Sequence, residues 1–195
     1  MYKKNIYKIV SNEPLTPAVY RMVLEGDTQY ITRSGQFINI ELEGKYLRRP
    51  ISVADYDDRS ITIIYKVVGR GTEQMSRLCI GTELDILTGL GNGFDTDNSS
   101  VKPLLVGGGV GVPPLYNLAK RLLAEGKRPA VVLGFNTKEA VFYAEEFKAL
   151  GVDVYVATAD GSMGIKGFVT DAIREANVEF DYLYTCGPLP MLKAL

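Results

Sequence analysis

Residues Leu104–Leu115 read LLVGGGVGVPPL: an apolar run, then Gly107, Gly108, Gly109 and Gly111, then Pro113 and Pro114. Glycine weakens a regular element and is tolerated where the backbone must come close to something. Proline favours the first turn of a helix. The stretch therefore reads as a strand turning at once into a helix, with a bare turn between them. It is not the G-x-G-x-x-G dinucleotide fingerprint: counted from Gly107 the sixth position is Val112, and from Gly109 it is Pro114. It is a phosphate-loop candidate of another kind.

Downstream, strand and helix alternate. Strands are expected over Pro103–Val106, Ala130–Phe135, Val152–Ala157 and Phe180–Thr185. Helices are expected over Pro113–Glu125, Glu139–Leu150, Val169–Ala176 and from Pro190 onward. This alternation predicts a doubly wound parallel sheet with helices on both faces. Upstream, Tyr2–Val10, Ala18–Leu24, Gln36–Leu42, Ile51–Ala54, Ile61–Val67 and Glu83–Leu87 are short segments rich in Ile, Val, Tyr and Leu, and several alternate. With no long helix among them they predict an antiparallel six-stranded barrel. One short helix is expected from Gly71-Thr72, with Met75, Leu78 and Cys79 on its packed face. The glycine-rich, aperiodic Gly89–Lys102 reads as the connection, which gives domains 1–98 and 99–195.

Composition narrows the chemistry. The chain has 195 residues and a formal net charge of −1, so neither nucleic acid nor an anionic membrane is an expected partner. No apolar run is long enough to span a bilayer, the N-terminus lacks a signal-peptide core, and a cytoplasmic location is expected. Histidine is absent, which excludes a Ser–His hydrolase and a histidine-built metal site. Cys79 and Cys186 have no metal-type spacing, so no metal ligands are expected. The chemistry is then expected to belong to a bound cofactor.

Three further stretches carry candidate sites. Arg48-Arg49-Pro50-Ile51-Ser52 opens a strand; it reads either as an edge with solvated arginines or as an anion clamp through the planar guanidinium fork. Val68-Gly69-Arg70-Gly71-Thr72 reads as a glycine turn with Thr72 as helix N-cap, and equally as a phosphate-facing helix start. Thr185-Cys186-Gly187-Pro188-Leu189-Pro190-Met191 is a buried cysteine at a strand end before a Gly-Pro turn.

Taken together, Arg-x-x-Ser, Tyr65-Lys66-Val67 followed by G-x-G-T, G-G-G-x-G-x-x-P and C-G-P-x-P-M resemble the ferredoxin–NADP reductase superfamily. The resemblance implies FAD on the barrel, its pyrophosphate held by Arg49 and met by Gly71 and Thr72. Ser52 would approach the reactive flavin nitrogen, with Pro50, Ile51, Tyr65, Lys66 and Val67 in the cofactor site. Ile51 stands where many members stack an aromatic ring on the flavin, and Tyr65 is a candidate neighbour instead. NAD would lie over Gly107, Gly108, Gly109, Gly111 and Pro113, with Cys186, Gly187 and Pro188 at the nicotinamide. Ser52 and Cys186 would take the catalytic positions, Cys186 by shape rather than as a nucleophile. Asp160, before Gly161-Ser162, stands where NADP-using relatives hold the 2′-phosphate, which favours NAD.

The phrases LRRPISVA, YKVVGRGT, GGGVGVPPL, ADGSMGIKGFVTD and YTCGPLPML resemble one branch, the electron transfer subunits of bacterial type B (NAD-linked) dihydroorotate dehydrogenases. This implies an oxidoreductase component of pyrimidine biosynthesis. It would pair with an FMN-containing catalytic subunit as a heterotetramer and pass electrons through a 2Fe–2S cluster and FAD to NAD. The chain stops at MLKAL, before the family's cysteine-rich segment. It is expected to be a truncated or cleaved product that does not ligate the cluster. The alternatives are a subunit of a sulfide dehydrogenase or of an NADH-dependent ferredoxin:NADP reductase, a free-standing NADH:flavin reductase, or a non-enzymatic binding module.

Overall fold

A computed structural model describes residues 2–99 and 101–195. The chain divides into two compact units, residues 1–94 and 95–195.

The first unit contains six strands: β1 (Lys3–Pro14), β2 (Val19–Glu25), β3 (Phe37–Ile40), β4 (Arg49–Tyr56), β5 (Ser60–Lys66) and β6 (Glu83–Leu90). They close into a barrel in the order β1-β2-β5-β4-β3-β6, with every ladder antiparallel. Closure leaves no sheet edge unpaired. Alternation places Tyr7, Ile9, Met22, Leu24, Ile38, Ile40, Ile61, Ile63 and Ile86 inside, all fully buried in one core. Helix α1 (Arg70–Ser76) adds Met75 to that core. The helix is shorter than expected, and Cys79 lies beyond its end on the surface rather than on a packed face.

One ionic tie runs across the strands. The Arg48 guanidinium bonds Asp85 Oδ1 at 2.8 Å and the Asp85 and Asn39 carbonyls at 3.1 and 3.3 Å, and it pairs with Glu41. Lys4 reaches the other Asp85 oxygen at 2.8 Å. Burial pushes the Asp85 carboxyl up, but the hydrogen bonds from Lys4 and Arg48 outweigh it and hold the group below the ordinary carboxylate range. A carboxyl depressed in the folded state contributes stability above its unfolded pKa and loses it as pH falls through the folded one. Asp85→Asn is therefore expected to destabilise the barrel at pH 7 by ~1–2 kcal/mol. The deficit should shrink as the pH is lowered below the normal carboxylate range. Urea melts of both proteins across that range measure it, and a pH-independent deficit would refute the ionic role.

The second unit contains β7 (Pro103–Gly108), α2 (Pro113–Ala124), β8 (Ala130–Phe135), α3 (Ala144–Ala149), β9 (Asp153–Thr158), β10 (Ile165–Lys166), α4 (Val169–Glu175), β11 (Tyr182–Cys186) and α5 (Leu189–Ala194). The sheet order is β10-β9-β8-β7-β11, parallel throughout. Leu104, Val106 and Val132 pack on one face with Val169 and Ala172 of α4. A Cβ on Gly107 would point the other way, 3.0 Å from Leu115 of α2. Tyr116 of α2 meets Phe147 of α3 edge-on at 5.3 Å, which puts those two helices together. The doubly wound arrangement follows from these two faces.

Two expectations need correction, and one strand was not expected. The single helix expected over Glu139–Leu150 is broken: a 3-10 turn at Lys138–Ala140 precedes α3, and Tyr143 between them is left-handed at φ 64°. Phe142 and Tyr143 are buried in an aromatic cluster with Phe135, Tyr116 and Phe147, so side-chain packing overrides the helical period. The two-residue strand β10 had no pattern long enough to read. The connection is more ordered than its composition implied. Gly89 and Leu90 finish β6, and Thr96–Asn98 form a 3-10 turn. Thr96 donates to Glu125 Oε1 at 2.8 Å and Lys127 to the Thr96 carbonyl, so this turn is pinned to the end of α2.

Candidate nucleotide sites on the two units

Adjacent arginines on β4 have opposite fates. Arg48 is consumed by the barrel tie, whereas Arg49 has no carboxylate within ion-pair distance among the described residues. Among the described residues its guanidinium donates only to the Leu47 and Arg48 carbonyls, and it lies directly over Gly71. A Cβ at Gly71 would stand 2.7 Å from the guanidinium carbon and 2.8 Å from Nη2. Gly71 is bare because Arg49 needs that space. The first intrahelical bond of α1 runs from the Glu73 amide to Gly69 at 2.9 Å, so the amides of Arg70, Gly71 and Thr72 precede it. An uncompensated cation beside such amides suits an anion.

Thr72 plays a different part from the expected one. The helix cap is Gly69, and Thr72 lies within the first turn. Its hydroxyl accepts from the Val68 and Gly69 amides at 2.9 and 3.2 Å and donates to the Gly69 carbonyl at 3.1 Å. It shapes the turn and has no donor left for a ligand. Tyr65 is also corrected: it is 1% exposed within the barrel core, so its ring cannot neighbour a flavin. Its hydroxyl donates to Asn12 Oδ1 at 2.9 Å, and Asn12 Nδ2 donates to the Met75 and Leu78 carbonyls at 2.9 and 3.1 Å. Burial pushes the Tyr65 phenol well above its ordinary range, so it stays a neutral donor. Tyr65 and Asn12 thus anchor the end of the helix whose start carries Gly71. Asn12 was missed because it lies near the end of β1, past the Val10 at which the strand was expected to stop, where sequence offers no sign of a partner in α1. Ser52 is half-buried and pairs with Phe37 in register, while Ile51 packs in part on the barrel core. Pro50 and Lys66 are exposed, and Val67 packs in part on the core.

In the second unit the candidate residues lie at the carboxyl ends of the parallel strands. The chain winds outward from β7 to β9 and β10, then returns to place β11 on the opposite side of β7. Ligands of open α/β sheets bind at such a switch point, outside the carboxyl ends of the strands. Gly107 pairs with Cys186 across it. The glycines divide by role. A Cβ at Gly107 would press on Leu115 and Val112, and at Gly108 it would stand 2.7 Å from the Met191 sulfur. At Gly111 it would stand 2.5 Å from the Cys186 carbonyl carbon and 2.7 Å from the Gly187 amide nitrogen. Gly109 alone of the four faces open space, at φ 52°. The expected role in ligand approach therefore narrows to Gly109; the other three let the chain pack on itself. Pro113 is buried in the first turn of α2, a position where a missing amide costs no bond.

Cys186 is half-buried, and burial pushes its thiol up, which disfavours a thiolate nucleophile. Gly187 and Pro188 follow it directly into α5. Asp160 is exposed after β9; its carboxyl is held below the ordinary range by hydrogen bonds from the Ser162 hydroxyl and amide. Among the described residues no group of three or more Cys, Asp or Glu side chains is placed to hold a metal ion, and no helix is long and apolar enough to cross a membrane.

A closed antiparallel barrel followed by a parallel sheet with a glycine-lined switch point is the architecture of ferredoxin–NADP reductase-like oxidoreductases. A Neisseria gonorrhoeae ferredoxin NADP+ reductase, solved with FAD and NADP bound, shares this fold at a TM-score of 0.84 and 17% identity, covering 98% of this chain and 88% of that one. The NADH-dependent reduced ferredoxin-NADP oxidoreductase structure aligns at a TM-score of 0.87 and 34% identity, over 97% of this chain and 70% of that one. Residues 105–195 match the oxidoreductase NAD-binding domain.

Sequence comparison is more particular. The dihydroorotate dehydrogenase B (NAD(+)) electron transfer subunit of Bacillus mycoides is 46% identical over 203 aligned positions, covering 100% of this chain and 78% of the relative. That of Fusobacterium nucleatum is 45% identical over 199 positions, covering 96% and 76%. The chain belongs to the family of dihydroorotate dehydrogenase B (NAD(+)) electron transfer subunits.

Proposed function

We propose that the chain is the flavoprotein component that carries electrons from a dihydroorotate-oxidising partner subunit to NAD in pyrimidine biosynthesis. Arg49, with Gly71 and the Arg70–Thr72 amides, would hold the FAD pyrophosphate, and Ser52 would stand near the flavin ring. Gly109, Cys186, Gly187 and Pro188 would receive NAD. Bound flavin supplies the hydride and single-electron chemistry. The chain's part is to bind, orient and exclude water. No side chain is asked to move a proton, which agrees with the absence of histidine. The family reading brings an FMN-containing catalytic partner in a heterotetramer, a cytoplasmic setting and a 2Fe–2S cluster. Such a cluster takes four thiolates and these 195 residues carry two cysteines, so we place its ligands outside them.

The observation that carries the reading is the uncompensated Arg49 guanidinium over Gly71. The test is incubation with FAD followed by gel filtration, then NADH oxidation with an artificial acceptor. Yellow protein and turnover are expected; a colourless protein would overturn the assignment. A second reading, a subunit of an NADH-dependent ferredoxin:NADP reductase, draws on the 34% identity to that structure. Co-purification of a dihydroorotate-oxidising partner decides between them.

A further inference from the structure

We infer that Ser162 is a positioning residue that fixes the Asp160 carboxylate for a dinucleotide ribose and thereby sets the preference for NADH over NADPH. This rests on the nucleotide-binding reading above and assigns one side chain its part in it.

Asp160 and Ser162 belong to the turn that leaves β9 at the carboxyl edge of the sheet. Lys138 lies in the loop that leaves β8, the neighbouring strand, at the same edge. One hydroxyl joins the two loops. Ser162 Oγ donates to Asp160 Oδ1 at 2.6 Å and accepts from the Lys138 amide at 2.8 Å. The Ser162 amide donates to the same carboxylate oxygen at 3.0 Å. An exposed aspartate ordinarily samples several rotamers; this one is tied twice through one oxygen. The Lys166 side chain runs alongside, 2.8–3.0 Å from where a Gly161 Cβ would be, so its stem also borders the turn. The Glu139 carboxylate is close enough to feel the Asp160 charge.

A fixed carboxylate accepts hydrogen bonds from a ribose hydroxyl and repels a 2′-phosphate. A mobile one does both less well, because at an exposed site a charge acts strongly only when it is held close. The preference then depends on Ser162 through Asp160, although Ser162 itself need not touch the nucleotide.

The experiment measures Kd for NADH and for NADPH by anaerobic calorimetry on the FAD-loaded protein with its flavin reduced beforehand by dithionite, so that no hydride transfer accompanies binding, for wild type, Ser162→Ala, Ser162→Thr and Asp160→Asn. Ser162→Ala is expected to shrink the NADPH/NADH Kd ratio by about 3-fold, with Asp160→Asn shrinking it at least as far and Ser162→Thr restoring it. A merely structural serine would weaken both nucleotides alike and leave the ratio unmoved, which would overturn the inference. A ratio that collapses in Asp160→Asn but not in Ser162→Ala overturns the role of Ser162 and leaves the nucleotide site standing. A ratio unmoved by Asp160→Asn overturns the inference at its root. Wild-type protein that binds neither nucleotide would instead sink the proposed function.

Discussion

Arg49→Ala is expected to weaken FAD binding by about 100-fold while leaving the stability of the flavin-free protein nearly unchanged. Among the described residues its guanidinium makes no ion pair and donates only to the two preceding carbonyls. Removing it therefore costs the fold little, within the ±0.5 kcal/mol or so usual for surface changes. Gly71→Ala tests the same contact from the other side. The new Cβ would fall on the Arg49 guanidinium, the far end of a flexible side chain, which yields by swinging away. The Thr72 hydroxyl would still hold the Val68-Gly69 turn. Gly71→Ala should then lose FAD comparably, with an intact fold, and the double variant should lose little more than either alone, since both remove one interaction. Arg49→Lys should recover part of the affinity, because an ammonium carries the charge without the planar fork. Titration of apoprotein with FAD, followed by flavin fluorescence, measures all four. Wild-type affinity in Arg49→Ala would show that the pyrophosphate is held elsewhere.

Arg48 and Arg49 show how far the sequence could be read. The strand and its antiparallel setting were legible, because alternation of apolar residues is a local signal. Which arginine serves the barrel and which is free was a non-local matter. It is decided by Asp85 on β6, and no spacing within RRPIS encodes that partner. Tyr65 fails for the same reason: the alternation of β5 placed it on one face of its strand, but only barrel closure makes that face the interior. Thr72 shows the opposite case. The expected N-cap bond from its hydroxyl forward to the first-turn amides does not form: the helix starts earlier, at Arg70 after its cap Gly69, and the hydroxyl bonds back to the Val68-Gly69 turn instead. Tyr143 marks the limit in the second unit. No glycine or proline interrupts the run from Glu139 to Leu150, and only the aromatic cluster that receives Phe142 and Tyr143 reveals why the backbone turns left-handed there. The glycines of the switch point were visible as a group, yet their separate reasons required the neighbours to be placed.

Those separate reasons yield the largest expected effect on the fold. Gly111→Ala should destabilise the second unit by ~3 kcal/mol or more. The added Cβ would stand 2.5 Å from the Cys186 carbonyl carbon and 2.7 Å from the Gly187 nitrogen, with the Cys186 oxygen closer still. These are backbone atoms at the end of β11, whose register with β7 runs from Tyr182↔Pro103 to Cys186↔Gly107. Neither side can give way without breaking that ladder or shifting the start of α2. Gly109→Ala is the control. It has open space for a methyl group but a positive φ, so it should cost only the ~1–2 kcal/mol of a left-handed residue. Its functional effect should be the reverse. A methyl group projecting into the only open stretch of the four-glycine turn should weaken NADH binding in a protein that is still folded. Urea unfolding followed by near-ultraviolet circular dichroism, together with NADH titration, separates the two variants. Equal destabilisation by both would mean that the Gly111–Cys186 approach is not what demands glycine. Undiminished NADH affinity in Gly109→Ala would mean that the dinucleotide does not cross this turn.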